Sequence, residues 1–344
     1  MKVLFSSMQA VLMLSGLIYL QPSANAQAVP ARTHWTKQAP IPTSFGVQGV
    51  AALSSTDCWV AAAAFLDNVG ELAHTTDGGR TWTVVSVDSQ VTSVAFVDTL
   101  HGWAAGNAFY HTTDGGQTWI KDNNFGSIAD IFFFDTLHGW AAGNGAVNYY
   151  TVDGGLHWTG VTAPGDSNMT SIYFTDMLNG WSVDLNGQVF HSTNGGQNWT
   201  LKATVNGFNL QMIQFFDALE GWVIGGDAFY HTTDGGNIWT QAAVPANTWA
   251  YGAHFFDRLH GIAVGEAGNI VRTVDGGTTW QRIQPQGSGQ RLWDVKYSDL
   301  NTAFYGGDNG AISRSINGGA RWVSIQSGGA GVTHKFDFVD PRHA

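Results

Sequence analysis

The chain has 344 residues, of which only 12% are charged, and its 26 acidic side chains outnumber its 15 basic ones. The resulting net charge of −11 argues against nucleic acid and anionic membrane surfaces as general partners. A single cysteine excludes an intramolecular disulfide framework and a multi-thiolate zinc site, while 44 glycines and 15 tryptophans indicate a turn-rich fold with a large aromatic core.

Residues 1–26 have the pattern of a secretory signal peptide. Lys2 precedes an apolar stretch, and Ala24-Asn25-Ala26 is a small-residue cleavage site. The apolar stretch is short for a membrane span, although an uncleaved anchor is the alternative. The sequence therefore predicts a secreted protein whose residues 27–344 form a single domain. Its expected location is the periplasm or the extracellular space, or the thylakoid lumen if the organism is photosynthetic.

One octapeptide recurs seven times after this segment. Its copies are Thr75–Trp82, Thr112–Trp119, Thr151–Trp158, Ser192–Trp199, Thr232–Trp239, Thr273–Trp280 and Ser315–Trp322. The third residue is acidic or an amide, and successive copies are 37 to 42 residues apart. A period of about 40 residues indicates a repeat architecture, with units at about 46–87, 91–121, 127–161, 169–204, 209–243, 250–284 and 291–326.

A second motif precedes the octapeptide and weakens toward the last unit. In unit two, Phe96-Val97-Asp98 leads to Gly102-Trp103. The pattern of apolar residues predicts four strands there, at Val91–Phe96, Gly102–Ala105, Ala108–Thr112 and Thr118–Lys121. Four short antiparallel strands per repeat predict an all-β fold, a seven-bladed β-propeller with four-stranded blades. The alternatives are an open solenoid, or an eighth blade shared by His34-Trp35 and Phe338-Val339-Asp340.

The Asp-Gly-Gly of each octapeptide predicts a hairpin turn, because glycine adopts positive φ without steric cost. The Asp or Asn, and the Thr or Ser two residues earlier, can hydrogen-bond to backbone amides inside the turn, and the closing Trp can pack beneath it. Because these positions lie on separate blades, we expect a structural role for Asp77, Asp114, Asp153, Asn194, Asp234, Asp275 and Asn317.

The octapeptide resembles the Asp-box, also called the bacterial neuraminidase repeat. The full unit, F-x-D-x-x-x-G-W-A-x-G followed by T-x-D-G-G-x-x-W, looks most similar to the photosystem II stability and assembly factor family. That resemblance implies a luminal seven-bladed propeller that escorts a reaction-centre subunit, holds it with a basic surface patch and has no catalytic chemistry. Similar boxes occur in sialidases, xyloglucan-degrading hydrolases and sortilin-type receptors, so the motif indicates the fold more strongly than the function.

Candidate catalytic and metal-binding residues are few. A sialidase would need three converging arginines, a Tyr with a Glu partner and an acidic general acid. Glu71 and Glu266 are expected in loops between second and third strands, with Glu220 in a different turn. Aspartates of those same loops could still form a catalytic pair, namely Asp67, Asp184, Asp227 and Asp308. We expect no catalytic residues, a glycoside hydrolase (sialidase-like or xyloglucanase-like) being the enzyme alternative.

Four histidines stand three residues before the box Asp or Asn, at His74, His111, His191 and His231. Equivalent positions on different blades should lie much farther apart than the roughly 2 Å bonds of one metal ion allow. We therefore predict that these histidines pack between blades, and we expect no metal and no cofactor.

Arginines concentrate in the last two units, where residues 258–321 hold seven basic and five acidic side chains. This sector predicts a protein client that is acidic or rich in carboxylates, with contacts from Arg272, Arg282, Arg291 and Arg314, unless the cluster arose by chance.

Two tryptophans, Trp249 and Trp293, fall outside the repeat positions, and Tyr251 accompanies the first. Exposed aromatic residues at a propeller mouth suit a peptide or a glycan, unless they plug the central channel instead. We therefore predict a monomeric, non-catalytic scaffold that binds a protein client, with a glycan-binding protein as the alternative.

Overall fold

The structure is a computed structural model that describes residues 46–54, 57–64, 68–77, 81–122, 126–206, 209–283, 289–308, 312–324 and 337–338. The predicted signal peptide at residues 1–26 and the His34-Trp35 segment lie outside the described residues. Both stay predictions.

The described chain forms seven sheets, each built from four antiparallel strands that are consecutive in sequence. Blades 1 and 2 comprise β1 (Gly46–Ala52), β2 (Cys58–Ala64), β3 (Val69–Thr75), β4 (Thr83–Val87), β5 (Val91–Phe96), β6 (Gly102–Gly106), β7 (Phe109–Thr112) and β8 (Ile120–Asp122). Blades 3 and 4 comprise β9 (Ile128–Phe133), β10 (Gly139–Gly143), β11 (Val147–Thr151), β12 (Thr159–Thr162), β13 (Met169–Phe174), β14 (Gly180–Asp184), β15 (Gln188–Ser192) and β16 (Thr200–Thr204).

The last three blades repeat this order. They comprise β17 (Met212–Phe215), β18 (Gly221–Gly225), β19 (Ala228–Thr232), β20 (Thr240–Gln241), β21 (Ala250–Phe255), β22 (Gly261–Gly265), β23 (Ile270–Thr273), β24 (Gln281–Ile283), β25 (Leu292–Tyr297), β26 (Ala303–Gly307), β27 (Ile312–Ser315) and β28 (Val323–Ser324). A 3-10 turn at Glu266–Gly268 is the one helical element in the described part of the chain. The predicted seven-bladed, all-β propeller is therefore confirmed.

The first strand of each blade is innermost, and the innermost strands of successive blades contact one another around a central axis. At one end, the box turn lies against the turn between strands one and two, as where the Gly115 amide donates to the Leu100 carbonyl at 2.9 Å. We call this end the box face. The other end carries the loops between strands two and three and the connections between blades, and we call it the rim face.

The C-terminal strand β29 (Asp337–Phe338) does not begin an eighth blade. It pairs in parallel with β1, so that Asp337 lies opposite Ala51 and Phe338 opposite Ala52. It also contacts β5 of blade 2 and β25 of blade 7. The end of the described chain therefore adds a fifth strand on the inner side of blade 1.

The box turns are fixed by side-chain hydrogen bonds. In blade 2, the Thr112 hydroxyl donates to Asp114 at 2.8 Å and accepts from the Gly116 amide at 2.8 Å. The Asp114 carboxylate also accepts from the amide and the hydroxyl of Thr118, and these bonds lower the pKa of Asp114 to about 2. Gly115 and Gly116 have φ of 68° and 77°, which side-chained residues rarely adopt.

Aromatic stacks join each of blades 1 to 5 to the blade that follows it. Trp181 stacks on His191 of its own blade, with ring centroids 4.6 Å apart, and on Phe215 of the following blade at 3.9 Å. The same arrangement recurs around Trp59 and Trp222. The antiparallel register pairs Trp181 with His191 inside one sheet, so this histidine stacks on the tryptophan of its own blade, and that tryptophan contacts the next blade.

The junction of blades 6 and 7 replaces this stack with different chemistry. In blades 2 and 3 the tryptophan indole donates to the next box turn, from Trp103 to the Gly154 carbonyl at 2.7 Å and from Trp140 to the Gly195 carbonyl at 2.9 Å. Blade 6 has Ile262 at the tryptophan position. The equivalent carbonyl, that of Gly318, instead accepts from Arg272 at 2.5 Å and from the Tyr297 hydroxyl at 3.2 Å.

Candidate functional site

Six residues converge on the rim face where blades 6 and 7 meet, and we call them the rim cluster. They are Trp249, Tyr251, Glu266, Arg291, Trp293 and Asp308. Trp249 and Tyr251 stand at the start of the innermost strand of blade 6, and Arg291 and Trp293 at the equivalent place of blade 7. Glu266 and Asp308 begin the loops between second and third strands of the same two blades.

The cluster is held by direct polar contacts around one aromatic pair. The rings of Tyr251 and Trp293 lie 4.7 Å apart, tilted by 35°. The Tyr251 hydroxyl donates to Glu266 at 2.6 Å, and the Trp293 indole donates to Asp308 at 2.7 Å. Arg291 donates to Glu266 at 3.0 Å and holds its guanidinium carbon 5.9 Å from the centre of the Trp293 ring. Two aromatic rings and three charged groups therefore form one connected unit.

The backbone that presents the rim cluster depends on irregular strand starts. The pairing of β21 with β22 shifts between Ala250 and Gly252, and that of β25 with β26 shifts between Leu292 and Asp294. A side chain at Gly265 would collide with the Trp249 carbonyl, so the Glu266 loop approaches that strand only because residue 265 is glycine. The Glu266 amide then donates to the Trp249 carbonyl at 2.9 Å.

The electrostatics of the cluster favour recognition over acid–base chemistry. Burial and the hydrogen bond to Glu266 raise the pKa of Tyr251 to about 12, so its phenol stays protonated at neutral pH. The nearby Glu266 carboxylate raises the pKa of Arg291 as well. Trp249 is 40% exposed, and the side chains of Arg291 and Glu266 are 51% and 41% exposed. A ligand arriving from solvent can therefore reach an indole ring, a guanidinium and a carboxylate.

The structure separates the four predicted contact arginines. Arg291 alone belongs to the rim cluster. Arg282 is turned into its own blade junction, where it donates to the Asn269 side chain, to the Ala246 carbonyl at 2.6 Å and to Thr248 at 3.3 Å. Its guanidinium ties the connection from blade 5 to a loop of blade 6, so it offers little to a partner.

Arg272 and Arg314 lie near the opposite, box face. Both occupy the position that histidine holds in most other blades. Arg272 donates to the Gly318 carbonyl, and Arg314 stacks its guanidinium carbon 5.5 Å from the ring centre of Phe304, its cross-strand partner. These two arginines therefore replace the histidine of the aromatic stack, and the four arginines do not form one patch.

Glu266 and Asp308 are the site residues that the sequence did not single out for binding. Both were placed in rim-face loops, but nothing in the repeat pattern shows that each meets an aromatic donor across the blade junction. Glu71 was expected in such a loop and instead lies within β3. Asp184 ends β14 and is fully buried, where one carboxylate oxygen accepts from the amides of Asn186 and Gln188. Asp67 lies outside the described residues.

The buried carboxyl of Asp184 predicts a pH-dependent stability. Burial raises its pKa above the usual value, and its second oxygen has no hydrogen-bond partner among the described residues. A raised pKa means that the folded state favours the protonated form, so the carboxylate costs stability above the folded pKa and nothing below the unfolded pKa.

At pH 7.5 we therefore expect Asp184→Asn to raise Tm, by roughly 2–4 °C for each kcal/mol gained in the free energy of unfolding. At pH 4 the same substitution should change Tm much less. Thermal unfolding of both proteins at the two pH values measures this difference. An equal change of Tm at both pH values would show that ionisation of Asp184 plays no part.

The described residues contain no group of three or more His, Cys, Asp or Glu side chains arranged to hold a metal ion. They also contain no helix that is long and apolar enough to cross a membrane.

The geometry defines the chain as a seven-bladed propeller with an aromatic and charged cluster on the rim face. Residues 157–248 match the family model of photosynthesis system II assembly factor YCF48. The chain thus resembles that family, as its repeat motif predicted. No curated protein matches the chain.

Solved structures share the fold. YCF48 bound to a D1 peptide superposes with a TM-score of 0.67 at 21% identity, covering 81% of this chain and 95% of that one. YCF48 from Cyanidioschyzon merolae gives 0.62 at 19% identity, covering 81% and 96%. A virginiamycin B lyase from Staphylococcus aureus gives 0.63 at 13% identity, covering 82% and 95%. Since a lyase shares the architecture, the fold alone does not decide whether the protein is an enzyme.

Proposed function

We propose that the chain is a secreted, non-catalytic propeller that binds a segment of a client protein at the rim cluster and acts as an assembly scaffold. The observation that carries this proposal is the cluster itself, in which Trp249, Tyr251 and Trp293 stand together with Arg291 and Glu266 at a solvent-accessible blade junction. Aromatic residues with a few fixed polar groups are the usual anchors of peptide recognition. The likeness to YCF48 bound to a D1 peptide supports a peptide segment as the ligand.

The contacts within the cluster support binding more than hydrolysis. Glu266 accepts from both Tyr251 and Arg291, and Asp308 accepts from Trp293, so both carboxylates hold internal donors. A general acid needs a pKa raised toward neutrality, and a tyrosine nucleophile needs an accessible phenolate. The pKa of Tyr251, raised to about 12, opposes phenolate formation.

Client binding should depend on the exposed indole. We expect Trp249→Ala to weaken retention of the client at least tenfold, since truncating an aromatic anchor commonly costs 2 kcal/mol or more. Quantitative co-purification of the client with the tagged protein from its native cell envelope measures this retention. A D1 peptide is the first defined ligand to titrate.

The matched control is Leu137→Ala, because Leu137 is 51% exposed on the box face. Equal retention by the parent and Trp249→Ala proteins, or equal losses in both variants, would remove the rim cluster from client binding.

Glycan binding is the second candidate. The exposure of Trp249, whose backbone carbonyl accepts from the Glu266 amide, favours it. Indole faces stack on sugar rings, and carboxylates accept hydrogen bonds from sugar hydroxyls. Saturation-transfer NMR with a panel of neutral oligosaccharides tests this alternative. Glycan binding requires a saturation-transfer signal with the parent protein and none with Trp249→Ala.

A further inference from the structure

The arginine-rich sequence of the last two units suggests a basic binding surface, but the rim face is acidic. Its described loops, between strands two and three and between blades, carry five acidic residues: Asp88, Asp166, Asp227, Glu266 and Asp308. Asp122 and the buried Asp184 end strands at the same face. Within the same described loops, Arg291 is the one basic residue.

Basic side chains on the neighbouring outer strands do not reverse this balance. Lys121 donates to Asp88 at 2.8 Å, and Arg282 is held by the backbone of the blade 5 connection. Arg272 and Arg314, which contribute to the basic character of the sequence, lie near the box face. The partners of Arg282 are neutral and leave its charge in place. With Lys121, Arg282 and Arg291 all counted, the described rim face still carries more acidic than basic side chains, and Glu266 and Asp308 are among the acidic ones.

The rim cluster already shows how a cation fits there. The guanidinium of Arg291 sits between the Glu266 carboxylate, at 3.0 Å, and the face of the Trp293 ring, at 5.9 Å from its centre. Pairing with a carboxylate and stacking over an indole are two interactions by which protein binding sites hold ammonium and guanidinium groups. Asp308, bound to the Trp293 indole, is a second carboxylate beside the same ring, and Trp249 is an exposed indole at the start of the neighbouring innermost strand.

From this charge and geometry we propose that the client segment is cationic: an extended peptide whose lysine or arginine side chains lie over Trp249 and Trp293 and pair with Glu266 and Asp308. This deepens and rests on the proposed function, and it reverses the carboxylate-rich client that the sequence predicts. Negative charge around the whole rim would steer such a peptide toward the cluster, and salt would weaken its binding.

The test uses three fluorescein-labelled dodecapeptides, each with Ser-Xaa-Ala repeated four times and with Lys, Gln or Glu as Xaa. Fluorescence anisotropy with the full chain should show the Lys peptide binding at least tenfold more tightly than the Gln peptide at about 50 mM salt, with most of that advantage lost at about 500 mM. The Glu peptide should not bind.

Variants then locate the binding. Glu266→Gln and Asp308→Asn should each weaken the Lys peptide at least fivefold, and Trp249→Ala should do the same. Asp166→Asn removes a rim carboxylate at a distant blade junction and should have an effect of less than twofold. Unchanged Tm in each variant excludes unfolding as the cause.

The remaining outcomes separate this inference from the proposed function. Tight binding of the Glu peptide that depends on Trp249 would overturn the cationic client but keep the peptide-binding site. Equal losses from Asp166→Asn and Glu266→Gln would overturn the assignment to the rim cluster. If a client retained through Trp249 in the native envelope has a neutral or acidic contact segment, the cationic client is wrong while the scaffold stands.

Discussion

Replacement of Trp103 by alanine is expected to lower the free energy of unfolding by about 3–5 kcal/mol, the range for truncating a buried tryptophan. Trp103 is 2% exposed, and its ring stacks on Phe133 of the next blade with centroids 3.5 Å apart. The cavity would open between blades 2 and 3, which this stack and the indole hydrogen bond to the Gly154 carbonyl help to join. Urea denaturation followed by far-UV circular dichroism measures the change.

A matched pair separates packing from hydrogen bonding. Trp103→Phe keeps an aromatic ring but leaves the Gly154 carbonyl without its indole donor. Trp181→Phe keeps a ring in an equivalent, fully buried stack whose indole nitrogen has no hydrogen-bond partner among the described residues. The first variant should therefore be less stable than the second by about 1 kcal/mol. Equal stability would show that the indole hydrogen bond does not contribute to the junction.

Gly277→Ala is expected to destabilise the protein by about 2–5 kcal/mol. Gly277 is the second glycine of the blade 6 box and has a φ of 78°, which costs an alanine about 1–2 kcal/mol. A Cβ there would also overlap the ring of Trp222, and overpacking of this kind costs about 1–3 kcal/mol.

Gly145→Ala is the control for this prediction. Gly145 has nearly the same φ, 76°, but nothing lies within 4 Å of the position that a Cβ would take. It should therefore lose only the backbone contribution, about 1–2 kcal/mol. Similar losses in the two variants would mean that the contact between box glycine and tryptophan does not limit the packing of the blades.

The regular part of the fold is predictable from sequence because each repeat contains its own turn and strand signals. In unit two the predicted first strand, Val91–Phe96, matches the structure, and the other three differ by one or two residues at their ends. The hydrogen bonds of the box turn also follow from residue type. The short side chains of Thr112 and Asp114 can reach backbone amides only within their own turn.

The site was predictable only in part, because it depends on contacts across a blade junction. Trp249, Tyr251 and Trp293 stood out as aromatic residues without a repeat position. Their partners Glu266 and Asp308 did not, since a repeat alignment gives the position of a residue within a blade and not its neighbour in the next one.

The arginines show the same limit. Clustering in sequence suggested one basic patch, yet Arg272 and Arg291 point to opposite ends of their blades. The position of a residue along its strand decides this placement. Residues near the two ends of a strand lie on opposite faces of the propeller, separated by its thickness. Ile262 stands at the tryptophan position of blade 6, and Arg272 and Tyr297 donate to the Gly318 carbonyl instead of an indole.

Site-specific photo-crosslinking tests most directly whether a client segment binds at the rim cluster. A benzophenone amino acid replaces the exposed Ala267, next to Glu266 on the rim face, so that Trp249 is kept, and separately replaces Leu137 on the box face. Each protein is irradiated in the native envelope and the adducts are identified by mass spectrometry. We expect a client adduct from position 267 that excess Lys dodecapeptide suppresses, and none from position 137. The same client adduct from position 137, with none from position 267, would contradict binding at the rim cluster.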